Sequence, residues 1–224
     1  MLLPADLLSS TLMPWALAAP ALPLLLMLYG KSPFTGLNVS ILLVCVVTML
    51  TNMIYGILPK TPPSIRNDIH LTGIITESAL SLVLIWNLIA NGLLRKIIIA
   101  VAAIMIGGLT LMMAFDADIA DIKYALSIAY LAIAILSGIA LFKISESTKE
   151  NFLTAEPGFW TGTGLAFHYG LMALLLAVLP AINLKDWSML PGFSLLYLIS
   201  NSIRYIVFSA AVHTESIREF QRKS

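Results

Sequence analysis

Seven long apolar runs, separated by short polar joints, organise this chain. Crossing the hydrocarbon core of a bilayer takes about 20 mostly apolar residues. No joint is long enough to hold a separate soluble domain. We therefore predict an all-α integral membrane protein: one seven-transmembrane-helix bundle over residues 1–224, with spans at 9–30, 35–58, 68–90, 95–115, 121–143, 158–180 and 190–213.

The basic residues at the joints indicate an orientation. Cytoplasmic joints of membrane proteins carry an excess of lysine and arginine. If the N-terminus is outside, the inner joints and tail hold twice as many basic residues as the outer joints. The pattern therefore predicts an outer N-terminus and a cytoplasmic C-terminus: the inner set is Lys31, Arg95, Lys96, Lys143, Lys149, Arg218, Arg222 and Lys223, against Lys60, Arg66, Lys123 and Lys185.

The last span carries an arginine, Arg204, near its middle. Ionisable groups at that depth are costly, and they normally face the protein interior and have a partner. The helical period also gives this span a polar face, which predicts that it lies against the inside of the bundle. That face holds Ser194, Tyr197, Asn201, Arg204, Tyr205, Phe208 and Ser209.

Glu77 in the third span is the predicted partner of Arg204, since each is the only mid-span charge of its sign. At 1.5 Å per helical residue, both lie near the middle of the core. We expect a polar layer around this ion pair, with Asn52 and Tyr55 covering it from the second span. The pair either locks two helices together, borders a polar pocket or forms a two-state switch. The full predicted layer is Glu77, Arg204, His168, Tyr169, Asn201, Asn52, Tyr55 and Ser81.

The sixth span has small residues at four-residue intervals: Gly158, Gly162, Ala166 and Gly170. Such a ridge lets a neighbouring helix approach closely, so we predict a packing surface there. The fourth span has Thr110 as its one polar side chain after Lys96, which predicts the most lipid-exposed helix.

Composition supports this class and excludes others. The chain is 59% hydrophobic and 11% charged, with a formal net charge of +1, far more apolar than a soluble domain. A near-neutral chain without a basic cluster argues against a nucleic-acid partner. The single cysteine, Cys45, lies within an apolar run and indicates a buried hydrophobe.

No resident cofactor is predicted. The three histidines, His70, His168 and His213, fall at the outer end, middle and inner end of their spans, so they cannot share one zinc ion. A covalent retinal would need a lysine in the middle of the last span, and that span has none. The chain has no Gly-x-Ser-x-Gly motif for a serine hydrolase. A bound lipid is compatible with the polar layer.

Short motifs resemble an uncharacterised family of small bacterial seven-transmembrane-helix proteins. They are Phe159-Trp160 followed by Gly164 and His168-Tyr169, the run from Asn67 through His70 to Glu77, and the run from Asn201 to Tyr205. An aromatic residue is more usual in that family at the position of His168. The resemblance implies a bacterial cytoplasmic (inner) membrane protein with a sensory or accessory role.

Three function classes remain from the sequence. The first is a non-enzymatic, receptor-like or accessory protein that binds a small or lipid-like ligand in the polar layer. Its partners would be membrane lipids and a membrane or cytoplasmic signalling protein, with homo-oligomerisation left open. The alternative is a proton-coupled transporter or channel that uses Glu77 and His168. An intramembrane hydrolase is the third.

Overall fold

The computed structural model describes residues 18–30, 34–57, 63–115, 119–148, 153–178 and 191–223. This part of the chain is helical, with short connections. A 3₁₀ turn at Leu153–Ala155 precedes the sixth helix. The helices are α1 (Ala18–Tyr29), α2 (Gly36–Ile57), α3 (Pro63–Leu88), α4 (Gly92–Ala114), α5 (Ile119–Ser147), α6 (Pro157–Val178) and α7 (Pro191–Lys223).

Six helices, α2 to α7, are long and apolar enough to cross a membrane, which confirms the helical membrane class. The remaining predicted span is the first along the chain, at 9–30. It is represented by α1, whose twelve described residues are too few to span the core. Residues 9–17 of that predicted span lie outside the described residues. A count of seven spans therefore stays a prediction.

The observed helices begin and end where local signals set them. Proline is favoured in the first turn of a helix, and α3 begins at Pro63, five positions before the predicted start. Asn91 caps α4: its Oδ1 accepts hydrogen bonds from the backbone N–H groups of Leu93 and Leu94. This cap starts α4 at Gly92 rather than at the predicted residue 95.

The bundle is built from neighbouring helix pairs. α5 packs along α6, α6 along α7, and α2 along α3, while α3 also touches α4, α5 and α6. Aliphatic and aromatic side chains on the facing sides form the core, including the fully buried Ile85, Leu165 and Phe208. This arrangement brings α2, α3, α6 and α7 around the predicted polar layer.

The fourth helix is the least buried of the six spans, as predicted. Only 17% of its residues are buried, against 33–50% in the others. Its buried residues, Ile98, Met105 and Leu109, are seven and four positions apart, so they form one stripe that faces the bundle. Ile104, on the other side, is 75% exposed.

The glycines of α6 face three neighbouring helices. A Cβ atom at Gly162 would lie 2.9 Å from Leu141 Cδ2 of α5. One at Gly158 would lie 3.0 Å from Ile144 Cδ1 of α5 and 3.1 Å from Leu88 Cδ2 of α3. Gly170 faces Ala134 of α5 at a looser 3.9 Å. Gly164, outside the predicted ridge, lies against Phe208 of α7. The ridge therefore packs on α5, while the opposite side of α6 receives α7.

The last helix continues ten residues beyond the predicted end of its span and stops at Lys223. Residues 214–223, which follow the predicted span, are therefore helical. Arg218 Nη1 donates to Glu156 Oε2 across 2.9 Å, which fixes the extension beside the start of α6. Ile217 and Phe220 remain exposed.

Candidate polar site inside the bundle

The predicted ion pair is present at the middle of the bundle. Arg204 is fully buried on α7, and its Nη1 donates to Glu77 Oε1 of α3 across 2.5 Å. An arginine has three nitrogens that need acceptors in such a setting. The pairing supplies an opposite charge and one charge-assisted hydrogen bond.

Two neighbours on α7 hold the far side of the guanidinium. Arg204 Nη2 donates to Asn201 Oδ1 across 2.6 Å and to Tyr205 Oη across 2.7 Å. The guanidinium carbon also lies 4.7 Å from the centre of the Tyr205 ring. These contacts, together with the ion pair, leave the guanidinium little rotational freedom.

The second carboxylate oxygen of Glu77 is bound by α2. Thr48 Oγ1 donates to Glu77 Oε2 across 2.9 Å and shares the same proton with the Val44 carbonyl at 2.9 Å. The Glu77 side chain keeps 15% of its surface exposed, whereas that of Arg204 keeps none. Three helices, α2, α3 and α7, thus meet at one ion pair, in which the two opposite charges balance.

A second hydrogen-bond chain starts one turn further along α3. Ser81 Oγ donates to the Glu77 carbonyl across 2.9 Å. Because that hydroxyl has a single proton, the 2.7 Å contact between Ser81 Oγ and Tyr169 Oη places the tyrosine as the donor. The Tyr169 ring also meets Tyr130 of α5 edge-on, with centroids 5.1 Å apart. This chain connects α3, α5 and α6.

His168 belongs to a separate contact between α6 and α7. Its Nδ1 lies 3.0 Å from Ser200 Oγ, and both side chains are buried. The imidazole meets the rings of Tyr169 and Tyr197 edge-on. The structure therefore places His168 beside the polar layer, hydrogen-bonded to a serine rather than to the ion pair.

Two donor groups in the site have no hydrogen-bond partner among the described residues. They are Arg204 Nε and Asn201 Nδ2. Both belong to one cluster, since Asn201 Oδ1 accepts from the guanidinium of Arg204. Buried donors without an acceptor are rare in proteins and point to a further acceptor at the site.

The structure brings five of the predicted residues into connected contacts: Glu77, Arg204, Asn201, Ser81 and Tyr169. His168 touches this set only through its edge-on contact with the Tyr169 ring. Asn52 is half-buried on α2, one turn beyond Thr48, and the side chain of Tyr55 lies outside the described residues. The role of the whole set in ligand binding stays a prediction.

The prediction missed three contact residues as members of the site: Thr48, Tyr205 and Ser200. Tyr205 stands on the polar face of the last span, and Thr48 lies on the polar side of the second, four positions from Asn52. The helical spacing of the polar residues in these two spans could therefore have identified both as members of the site. Ser200 carried no such signal, because a lone serine beside apolar residues is common in membrane helices.

Among the described residues, no three histidine, cysteine, aspartate or glutamate side chains converge on a point where a metal ion could bind. Compared with family models, with curated proteins and with solved structures, the chain gives no match. The site must therefore be interpreted from its own geometry.

Proposed function

We propose that this chain is a receptor-like or accessory membrane protein without enzymatic activity, whose polar cluster binds a small or lipid-like ligand. The observation that carries the proposal is the pair of buried donors, Arg204 Nε and Asn201 Nδ2. An unsatisfied buried N–H costs about 1–3 kcal/mol. A ligand oxygen that accepted from both groups would remove that cost.

The charges at the site favour a neutral ligand. Glu77 already balances Arg204 at 2.5 Å, so an additional anion would stand next to a carboxylate. A carbonyl, ester or hydroxyl oxygen supplies the acceptor without a new charge. The aromatic rings of Tyr169 and Tyr205 next to the cluster suit the apolar part of such a molecule.

The last helix connects the polar cluster to the end of the bundle that we propose is cytoplasmic, so it could transmit the effect of ligand binding. A ligand that interacts differently with the paired and unpaired states of Arg204 shifts the balance between them. The same helix carries Arg218, which bonds Glu156 at the start of α6. We propose that this end contacts a signalling partner. The cytoplasmic location of this end, and the bacterial inner membrane as its setting, belong to the same proposal.

Native mass spectrometry on protein extracted gently from its own membrane tests the pocket. We expect the wild-type protein to retain a small-molecule or lipid adduct and Asn201→Ala to lose it, because that variant removes one donor and leaves the ion pair. Asn87→Ala is the matched control. It deletes the same amide from α3, where it donates to Gly36 O and Ser40 Oγ, and should retain the adduct. An empty wild-type protein, or an adduct that survives Asn201→Ala, would overturn the pocket.

A proton-coupled transporter is the second candidate, and one observation favours it. Glu77 is a carboxylate at mid-span that keeps 15% of its side-chain surface exposed, and acidic residues inside membrane spans are typical of proton relays. Reconstitution in liposomes with a pH-sensitive dye tests this. Proton flux that disappears in both Glu77→Gln and His168→Asn would support transport, while the absence of flux from the wild-type protein would reject it.

A further inference from the structure

A groove of about 350 Å³ runs along the outer surface between α2 and α3. Val47, Leu50 and Thr51 line it from α2. From α3 it is lined by Asp68, Ile69, Thr72, Gly73 and Thr76. It lies apart from the buried donors of Arg204 and Asn201. Both helices are membrane-spanning over this stretch, with apolar windows at Gly36–Met53 and Leu71–Leu88. The groove therefore opens sideways, toward lipid.

Two threonines of the groove use their hydroxyl protons within their own helix. Thr72 Oγ1 donates to the Asp68 carbonyl and Thr76 Oγ1 donates to the Thr72 carbonyl, each across 2.8 Å. These threonines therefore have no hydroxyl proton to donate into the groove, and Val47, Leu50 and Ile69 supply apolar side chains to its lining. A hydrocarbon chain is the occupant that such a lining suits.

A close helix contact forms the floor of the groove. A Cβ atom at Gly73 would overlap the Thr51 side chain, so the glycine lets α2 approach α3 at this point. Both residues line the groove. The groove is thus a surface depression over a tight contact, with a fixed floor.

One end of the groove carries a negative charge. Asp68 is exposed and is the one ionisable residue in the lining. It precedes the apolar window of α3 by three positions, which places it at the level of the lipid headgroups. A carboxylate at that level, above an apolar groove, is complementary to a headgroup that bears an amine.

We propose that this groove is a binding site for an amine-bearing phospholipid, with the ammonium group beside Asp68 and one acyl chain along the α2–α3 surface. The site goes beyond the pocket proposed at Arg204 and is independent of it. A lipid seated here would lie against Gly73 and Thr76, which are next to Glu77 on α3.

The test uses the full chain, delipidated in detergent and supplied with one lipid at a time. The probes are palmitoyl-oleoyl phosphatidylethanolamine and palmitoyl-oleoyl phosphatidylglycerol, which share their acyl chains. The first headgroup carries an ammonium group and is neutral overall, whereas the second carries a glycerol in its place and a net negative charge. Retained lipid is counted by native mass spectrometry. We expect the wild-type protein to prefer the ethanolamine lipid by about fivefold, as for one partly exposed ion pair.

Two variants and two controls assign the preference to the groove. Asp68→Asn should abolish the preference, whereas Asp121→Asn, which removes an exposed carboxylate from the first turn of α5, should keep it. Thr76→Phe fills the groove and should lower retention of both lipids, whereas Thr110→Phe, on the exposed side of α4, should not. Equal retention of the two lipids by the wild-type protein would overturn the proposal, as would a preference that survives Asp68→Asn.

The outcome is separable from that of the Arg204 pocket. An adduct that disappears with Asn201→Ala but persists in Thr76→Phe contradicts the groove and supports the pocket. An adduct that disappears with Thr76→Phe but persists in Asn201→Ala supports the groove and contradicts the pocket.

Discussion

Arg204 and Glu77 are 127 positions apart in the chain, and their side chains meet across 2.5 Å at the centre of the bundle. The contact joins the last helix to the third. Thr48 adds the second helix through the other oxygen of the same carboxylate. A buried charge pair of this kind makes each partner dependent on the other, because either one alone would be an uncompensated charge in an apolar interior.

The first prediction concerns this dependence. Glu77→Gln and Arg204→Gln should each lower the free energy of unfolding by about 3 kcal/mol, and the double variant should lose less than the two single losses combined. Unfolding in mixed micelles, followed by circular dichroism, measures this. Glu146→Gln removes the partner of Lys143 in an exposed ion pair and should cost less than about 1 kcal/mol. Two harmless single variants would contradict the dependence.

A second prediction follows from the hydrogen bond between Tyr169 and Ser81. Tyr169→Phe and Ser81→Ala should each be mildly destabilising, with a coupling energy of about 0.6 kcal/mol in a double-mutant cycle. The same unfolding measurement supplies the four free energies. Purely additive losses would show that the 2.7 Å contact does not stabilise the bundle.

The third prediction tests the packing ridge of α6. Gly162→Val places side-chain atoms where Leu141 lies, so we expect a loss of about 1–3 kcal/mol from overpacking. Gly108→Val is the control, because no atom lies within 4 Å of a Cβ built there. If both variants were equally stable, the close approach of α5 and α6 would be wrong.

A fourth prediction combines exposure with orientation. Cys45, the only cysteine of the chain, is fully buried and should stay unlabelled by a membrane-impermeant maleimide in the folded protein. Phe220→Cys, at a position 77% exposed, should react quickly in inverted membrane vesicles and hardly in sealed right-side-out vesicles. Labelling only in the right-side-out vesicles would reverse the predicted orientation.

Hydropathy and the positions of the charges predicted much of this arrangement. The six confirmed spans follow from apolar runs, and the Glu77–Arg204 pair follows from the need of two lone mid-span charges for each other. Both are consequences of the cost of polar groups in a hydrocarbon interior. That cost is the same in any bundle, so it can be inferred without knowing which helices are neighbours.

Contacts that depend on the exact neighbours were beyond this reasoning. The bond between His168 and Ser200 requires a particular rotation of α6 against α7, and no charge balance demands it. The end of α7 was missed for another reason. Residues from His213 to Lys223 are mostly polar but contain no glycine or proline. An ion pair between Arg222 and Glu219 supports the helix. The end of an apolar run marks where a membrane span ends. A helix can continue past that point when no helix-breaking residue such as glycine or proline follows.

The uninterrupted backbone of α7 has a mechanical consequence. At 1.5 Å per residue, its 33 residues extend about 50 Å, beyond the roughly 30 Å of a hydrocarbon core. After Gly192 it contains neither of the residues at which helices usually bend. Arg204 and Phe220 therefore lie on one unbroken helix, about 24 Å apart along its axis. A rotation or axial shift of α7 at Arg204 would therefore be transmitted along the helix to Phe220, because no glycine or proline lies between them.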